Sequence, residues 1–317
     1  MVAGKLADSC QRKPAPYIHI IRLPLAGQSA PGFPASETRR SQERNTSRHC
    51  FILPARIVCS LSIQRFTLND SVVMHFLERT LPTPLENLAL DEALLAACEA
   101  GEIIGGVLRL WESPDYFVVL GRSSDPEIEV KLAVCREQNI PVLRRVSGGG
   151  TVLSGPGCLS YAVVLDYEEF PHLRAVDLAH QYVLSRVVEC LAPLVPDIAM
   201  AGTSDLVLTD TVGRQMKCSG NALRCKRTHF LYHGTLLYDL DLARLRYLLA
   251  TPTRVPDYRQ DRTHEEFVTN LPLSRQQLCA ALKTGWQATA ELGDWPSQRT
   301  AAITGDKQAL HSRWIVL

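Results

Sequence analysis

Three consecutive glycines, Gly148-Gly149-Gly150, stand between two apolar runs, Pro141-Val142-Leu143 and Thr151-Val152-Leu153. Each glycine loses more backbone entropy on ordering than any other residue, so the run is costly in a folded chain. What it offers is a backbone that a ligand can approach closely, with successive N–H groups forming a concave anion site. Arg144 and Arg145 precede it and the turn Ser154-Gly155-Pro156-Gly157 follows it. A triple glycine can also be no more than a flexible hairpin tip, and these flanks weigh against that.

The run matches neither standard nucleotide loop. A Walker A loop closes on Gly-Lys-Ser/Thr, and a Rossmann turn needs G-x-G-x-x-G before a helix. Here a β-branched, strand-like Thr151-Val152-Leu153 follows.

With 317 residues, 46% of them hydrophobic, the chain has ample material for a buried core. A formal charge of +1 gives no basis for nucleic-acid binding, which relies on a basic face. The ten cysteines form no C-x-x-C pair and no zinc-ligand spacing, and read as reduced intracellular thiols. No apolar run reaches the roughly 18–20 residues that span a bilayer, so no membrane partner is expected. Met1 to Phe66 carries ten basic residues against three acidic ones, with many Ser and Pro and no periodicity. That segment, residues 1–73 in all, is expected to be a disordered leader or a start placed before the true Met74. Cytoplasmic location follows, or organelle import if the leader is real.

From His75 the pattern becomes regular. His75 to Arg79 reads as a strand, and Asn87 to Ala97 as a helix with Leu88, Leu94 and Leu95 inward and Asp91 and Glu92 outward. Val107 to Trp111 and Tyr116 to Gly121 read as a hairpin, Ile128 to Asn139 as a helix, and Pro141 to Arg145 as a strand entering the glycines. Leu159 to Asp166 is a returning strand, and Leu178 to Leu194 a helix. Asp205 to Leu208 and Gln215 to Cys218 pair around Asp210 to Arg214, with Gly220 ending the second arm. Thr235 to Tyr238 is a strand, Leu240 to Leu249 a helix, Pro252 and Pro256 mark a loop, and a helix capped by Ser274 runs to Leu292. Strands that outnumber helices and join by turns predict an α+β domain over residues 74–292, with a mixed, largely antiparallel sheet packed by helices. Residues 293–317 read as a tail without an accessory domain.

Three side chains outside the run can carry chemistry. Lys217, in an apolar strand before Ser219-Gly220-Asn221-Ala222, is either a solvated strand residue or an ammonium directed at developing negative charge. Asp205 is either a strand-end cap or a Mg²⁺ ligand bridging phosphates. His233-Gly234-Thr235 offers polar and backbone donors beside a strand.

In order along the chain, Asn87 to Glu92, Leu108 to Trp111, Val119-Leu120-Gly121-Arg122, Arg144 to Val152, Ser204 to Val207, Lys217 to Ala222, His233 to Leu237 and Val268 to Leu271 resemble the catalytic domain of the lipoate-protein ligase A family. The resemblance covers about residues 75 to 292. It implies a biotin/lipoate-ligase, class II synthetase-like fold and an enzyme that activates lipoate or octanoate with ATP to an acyl-adenylate. The acyl group then passes to a lysine of a lipoyl carrier domain, from a 2-oxoacid dehydrogenase or a glycine-cleavage H-type carrier.

By that resemblance Lys217 is catalytic and Asp205 holds Mg²⁺. Arg145, Ser147, Gly148, Gly149, Gly150, Ser154, Cys158, Ser219, Gly220, His233, Gly234 and Thr235 bind substrate or adenylate. Ser154 stands where the family usually has histidine, and Cys158 where it often has asparagine, so substrate choice is expected to differ at that turn. The short stretch after the last matched helix leaves room for a separate accessory subunit. Two further readings are an octanoyl or lipoyl transferase working through a cysteine thioester, with Cys158, Cys218 and Cys225 nearby, and a lipoyl-binding paralogue without catalysis.

Overall fold

The computed structural model describes residues 73–250 and 255–317. Residues 1–72 of the expected leader and the loop position Pro252 lie outside the described residues. The chain opens with β1 (Met74–Glu78) and then α1 (Pro84–Glu99), whose start is fixed by Pro84 and a capping box between Thr83 and Glu86. The two strands β2 (Gly106–Trp111) and β3 (Phe117–Leu120) are followed by the short helices α2 (Pro126–Glu129) and α3 (Leu132–Glu137). Next come β4 (Val142–Arg144), β5 (Val152–Ser154), β6 (Cys158–Asp166) and α4 (Val176–Leu191).

A meander follows, of β7 (Ala199–Ala201), β8 (Asp205–Thr209), β9 (Gln215–Cys225) and β10 (His229–Leu237). The chain continues through α5 (Ala243–Leu248), α6 (His264–Phe267), α7 (Arg275–Gly285), β11 (Ala290–Glu291), α8 (Ser297–Ala309) and α9 (His311–Trp314).

Eight strands form one sheet in the order β11-β1-β2-β6-β10-β9-β8-β7, and β4-β3-β5 form a second. In the large sheet β1 runs parallel to β2 and β11 and the other pairs are antiparallel. The expected mixed, largely antiparallel α+β architecture is what the chain adopts. One buried cluster holds α4 and α7 against the large sheet, around Tyr182, Val187, Trp286 and Tyr232.

Several local expectations are corrected. The strands β2 and β3 do not form a hairpin; β2 lies between β1 and β6, whereas β3 lies between β4 and β5. Both are buried along their whole length, so neither shows the alternation that would have revealed its partner. The helix expected from Ile128 to Asn139 is broken at Val130, which is extended and bridges Leu249. Strand β9 does not stop at Gly220 but runs to Cys225, and His233 and Gly234 lie inside β10.

Helix α1 has no polar outward face at Asp91, which is buried. The capping box of Ser274 and Gln277 opens α7 as expected, but that helix ends at Gly285 and β11 then joins the edge of β1. The residues expected as a tail are ordered: α8 packs on α1, where Lys307 pairs with Glu92 at 3.0 Å. Beyond α9, Ile315 bridges Leu143 of β4.

Candidate active site

The glycine run leaves β4 and returns as β5, and two backbone bonds pin its upstream side to the end of β3: Arg145 N to Leu120 O at 3.0 Å and Arg122 N to Ser147 O at 2.8 Å. The Arg145 side chain folds beneath the loop. Its Nε donates to Ser147 Oγ (3.0 Å), its Nη2 to Gly148 O (2.6 Å) and Gly150 O (2.9 Å), and its Nη1 to Val119 O (3.3 Å). Burial pulls this guanidinium down to about 10, against the opposing charge of Glu129, so it stays cationic at neutral pH.

In a trans peptide the C=O and the next N–H point in opposite directions. Tying the carbonyls of Gly148 and Gly150 to Arg145 therefore turns the N–H groups of Gly149 and Thr151 away from it. Among the described residues, no backbone acceptor is bonded to the N–H groups of Gly148, Gly149 or Gly150. All three glycines are exposed, which leaves a row of donors open to an anion.

Gly149 is the position that requires glycine. Its φ is +87°, and a Cβ there would lie 2.8 Å from Arg145 Nη2. Gly121, at the end of β3, packs so closely that a Cβ would meet Gly149 O at 2.0 Å.

Lys217 faces the same side of the sheet as this loop because of an irregularity in the pairing. Leu206 pairs with Ser219 but the next residue, Val207, pairs with Lys217, so Cys218 is one extra residue in β9. In a regular strand Lys217 and Gly220, three apart, would face opposite sides. The bulge restores them to one side, and Lys217 Nζ lies 2.7 Å from Asp205 Oδ1, with its chain against Gly220. The hydroxyl of Tyr258 donates to the other carboxylate oxygen, Asp205 Oδ2, at 2.7 Å. Two residues beyond Gly220, Ala222 lies 3.6 Å from the place a Gly149 Cβ would take, so loop and lysine border the same space.

His233 pairs with Ala222 across β9 and β10 and meets the loop from below, its Nε2 2.5 Å from Ser147 Oγ. Its Nδ1 lies 3.5 Å from Asp91 Oδ2 on α1. Burial works against a charged Asp91, but Arg109 at 2.5 Å and His233 outweigh it and hold this carboxyl below the usual range.

The structure thus gathers Arg145, Ser147, Gly148, Gly149, Gly150, Lys217, Asp205, Gly220 and His233. It does not bring in the rest of the expected set. Ser219 is fully buried, and strand alternation puts it and Gly234 on the other face, where Ser219 Oγ accepts from Asn221 Nδ2 at 3.0 Å. Thr235 lies one step further along the His233 face. Cys158 is opposite Leu237, four residues from His233, or roughly 13 Å along the strand. It is buried in an apolar cluster and accepts from Ser154 Oγ at 3.7 Å.

Burial pushes the thiols of Cys158 and Cys218 up to about 12. Neither is a nucleophile at neutral pH. Both oxygens of Asp205 are taken by Lys217 and Tyr258, and no group of three metal-ligating side chains gathers among the described residues. Asp205 would hold a Mg²⁺ only together with phosphate oxygens.

Sequence reasoning missed Arg109, Tyr258 and the inward direction of Asp91. The one available signal was an arginine within the otherwise apolar run Val107 to Trp111. Two surface grooves of about 430 and 500 Å³, bordered by Arg275, lie elsewhere and share no residue with the loop or Lys217. Among the described residues no helix is long and apolar enough to cross a membrane.

The profile of the lipoyl protein ligase A/B catalytic domain matches residues 83–281. A protein of Aeropyrum pernix that carries the name lipoate-protein ligase A is 31% identical over 213 residues, 67% of this chain and 74% of that one. One of Schizosaccharomyces pombe with the same name is 31% identical over 170 residues, 54% of this chain. The chain spans less than half of that relative, 42% of its length.

Among solved structures, a chain of the Thermoplasma acidophilum system, a bipartite lipoate protein ligase and its E2 lipoyl domain, superposes with a TM-score of 0.61 at 21% identity, covering 75% of this chain and 93% of that one. A lipoate-protein ligase A bound with ATP gives 0.57 at 22%, covering 75% and 96%. At such identities these likenesses show the shared fold. With the profile covering well over half of the chain, the protein belongs to the lipoyl protein ligase A/B catalytic domain family.

Proposed function

We propose that this protein activates lipoate or octanoate with ATP to an acyl-adenylate and passes the acyl group to a lysine of a lipoyl carrier domain. The observation that carries this reading is the placement of the Lys217 ammonium and the unbonded N–H groups of the glycine loop around one space. In the first step a carboxylate oxygen of the acid attacks the α-phosphorus of ATP and the bond to the bridging oxygen breaks, releasing pyrophosphate. Charge accumulates on the phosphoryl oxygens, and such a step is catalysed by positioning and by fixed donors and cations. The loop N–H groups and Lys217 supply both.

In the second step the amine of the carrier lysine attacks the acyl carbonyl, AMP leaves, and the amine loses a proton. Here Lys217 faces the charge that develops on the carbonyl oxygen or the leaving phosphate. Asp205 and Tyr258 keep that ammonium in place until substrate arrives.

The transferase reading is weaker, because the thiols of Cys158 and Cys218 are buried, and the exposed Cys225, opposite Phe230, lies three residues beyond Ala222 and so roughly 10 Å along the strand on the other face. The non-catalytic reading is weaker because a placed lysine adds nothing to holding an apolar tail. The carrier fits a lipoyl domain of a 2-oxoacid dehydrogenase or an H-type carrier, in keeping with the E2 lipoyl domain that accompanies the Thermoplasma ligase. A separate accessory subunit remains part of this proposal.

Incubation with lipoate, ATP, Mg²⁺ and an unmodified lipoyl domain tests the reading. Pyrophosphate release with a mass increase on the carrier is the expected result. Transfer solely from an octanoyl-carrier points to the transferase, and acyl binding with neither reaction to the paralogue.

A further inference from the structure

The mechanism above leaves one costly feature unused. Arg109 is fully buried on β2 and forms an ion pair with Asp91, itself buried on α1. Such pairs rarely add net stability over apolar residues of the same size, so their retention needs another reason. Arg109 is also heavily engaged: Nη1 donates to Asn87 O at 2.8 Å, and Nη2 to Asn87 Oδ1 at 2.7 Å and to Arg79 O at 3.0 Å. These bonds fix the guanidinium on the end of α1 and leave Asp91 Oδ2 directed at His233.

The proton positions along the chain follow from its two ends. Asp91 is ionised beside Arg109 and can only accept, so the proton of a neutral His233 ring sits on Nδ1. Nε2 is then an acceptor and must receive the Ser147 hydroxyl proton at 2.5 Å. Ser147 Oγ has a lone pair for Arg145 Nε at 3.0 Å, and Nε is shared with Gly148 O at 3.1 Å. Arg145 in turn holds the carbonyls of Gly148 and Gly150. With the ring neutral, every donor in the sequence Arg145, Ser147, His233, Asp91 meets an acceptor.

We propose that Arg109 and Asp91 are positioning residues for the glycine loop, acting at a distance through His233 and Ser147 to hold the Ser147 hydroxyl where Arg145 Nε meets it, so that the guanidinium stays seated on the loop carbonyls and the loop N–H groups face outward. This deepens the ligase reading, because it names what prepares the anion-binding backbone before ATP arrives. Neither Arg109 nor Asp91 touches substrate in this scheme. Their influence is carried by orientation alone, which is why the effect of removing Asp91 has to vanish once Ser147 can no longer receive it.

Two measurements test the proposal. In the intact wild-type protein, ¹⁵N-detected spectra of the His233 ring, taken at a pH where the ring carries one proton, should show that proton on Nδ1 and a bare Nε2; a single proton on Nε2 overturns the relay. Second, pyrophosphate exchange is measured for Asp91→Asn, Ser147→Ala and the double variant, each checked for folding by thermal melting. Each single change should lower kcat by roughly 100-fold, the cost of a misplaced binding group. The double should fall no further than the worse single, within about threefold. A double loss equal to the product of the two singles would show Asp91 acting independently of Ser147 and overturn the relay. If the wild-type protein exchanges no pyrophosphate, it is the ligase reading that falls, and the ring tautomer still decides for or against the relay.

Discussion

Lys217 Nζ and Asp205 Oδ1 lie 2.7 Å apart, on adjacent strands, because β9 carries one residue more than β8 between Leu206 and Val207. The pair is partly open to solvent, with side-chain exposures of 27% and 11%. It contributes about 1 kcal/mol or less to stability. Lys217→Ala should therefore melt within a few degrees of wild type while pyrophosphate exchange falls by roughly 10²–10³-fold, as when a preorganised charge stabiliser is removed. Wild-type turnover in that variant would end the role assigned to Lys217.

The glycine run separates into positions that tolerate a methyl group and one that does not. Gly148 has open space where a Cβ would go, whereas Gly149 has φ +87° and would press Arg145 Nη2. Gly149→Ala should lower unfolding free energy by roughly 1–3 kcal/mol, with Gly148→Ala within about 0.5 kcal/mol of wild type. Urea unfolding of the two variants distinguishes them, and equal stabilities would contradict the loop geometry.

The buried thiols give a pH dependence with a definite sign. Cys158 and Cys218 stand at about 12 in the folded chain against an ordinary 9.0, raised by burial. Below pH 9 both are neutral folded or unfolded, so their contribution is fully present there. As pH rises from 9 toward 12 the unfolded chain ionises first and stability is lost, by roughly 2 kcal/mol per thiol at pH 10.5. At pH 8 iodoacetamide should modify the exposed Cys225 and leave Cys158 and Cys218 untouched, as mapped by peptide mass. Rapid labelling of Cys158 in the folded protein would revive the thioester reading.

What could be read in the sequence follows from how each residue announces itself. The glycines, Lys217 and the hairpin that carries it stand out because they break an apolar pattern, and the fold class follows from strands separated by turns. The assembly of the site did not announce itself in the same way. A bulge at Cys218 has no composition signature, yet without it Lys217 faces away from Gly220. Asp91 sits among leucines at a position that helical spacing assigns to solvent, and only the buried Arg109 on β2 explains why it turns inward. Ser154 and Cys158 follow the glycines closely in sequence, but an extended strand carries them away along the sheet. The C-terminal helix α8 escaped notice because the face it buries includes Thr300, Thr304 and Lys307 rather than a stripe of leucines.

That helix and the residues after it support the site from outside. Lys307 Nζ lies 3.0 Å from Glu92, next in sequence to Asp91, and 3.4 Å from the centre of the Trp314 ring. The Arg144 guanidinium donates to Arg313 O at 3.1 Å, and Val316 N to Val142 O at 2.8 Å, so the chain end also braces β4 just before the glycine loop. Removal of residues 311–317 should expose one edge of β4 and leave Arg144 Nε without its acceptor, while Nη1 keeps Gly121 O and Ser124 O. The expected result is a Tm lower by several degrees, since the lost bridge and ring contacts amount to about 2 kcal/mol, together with a raised KM for ATP. Lys307→Met, which breaks the pair with Glu92 but leaves β4 braced, should lower Tm and leave that KM near wild type. If both variants shift KM alike, the brace on β4 has no separate effect on the loop.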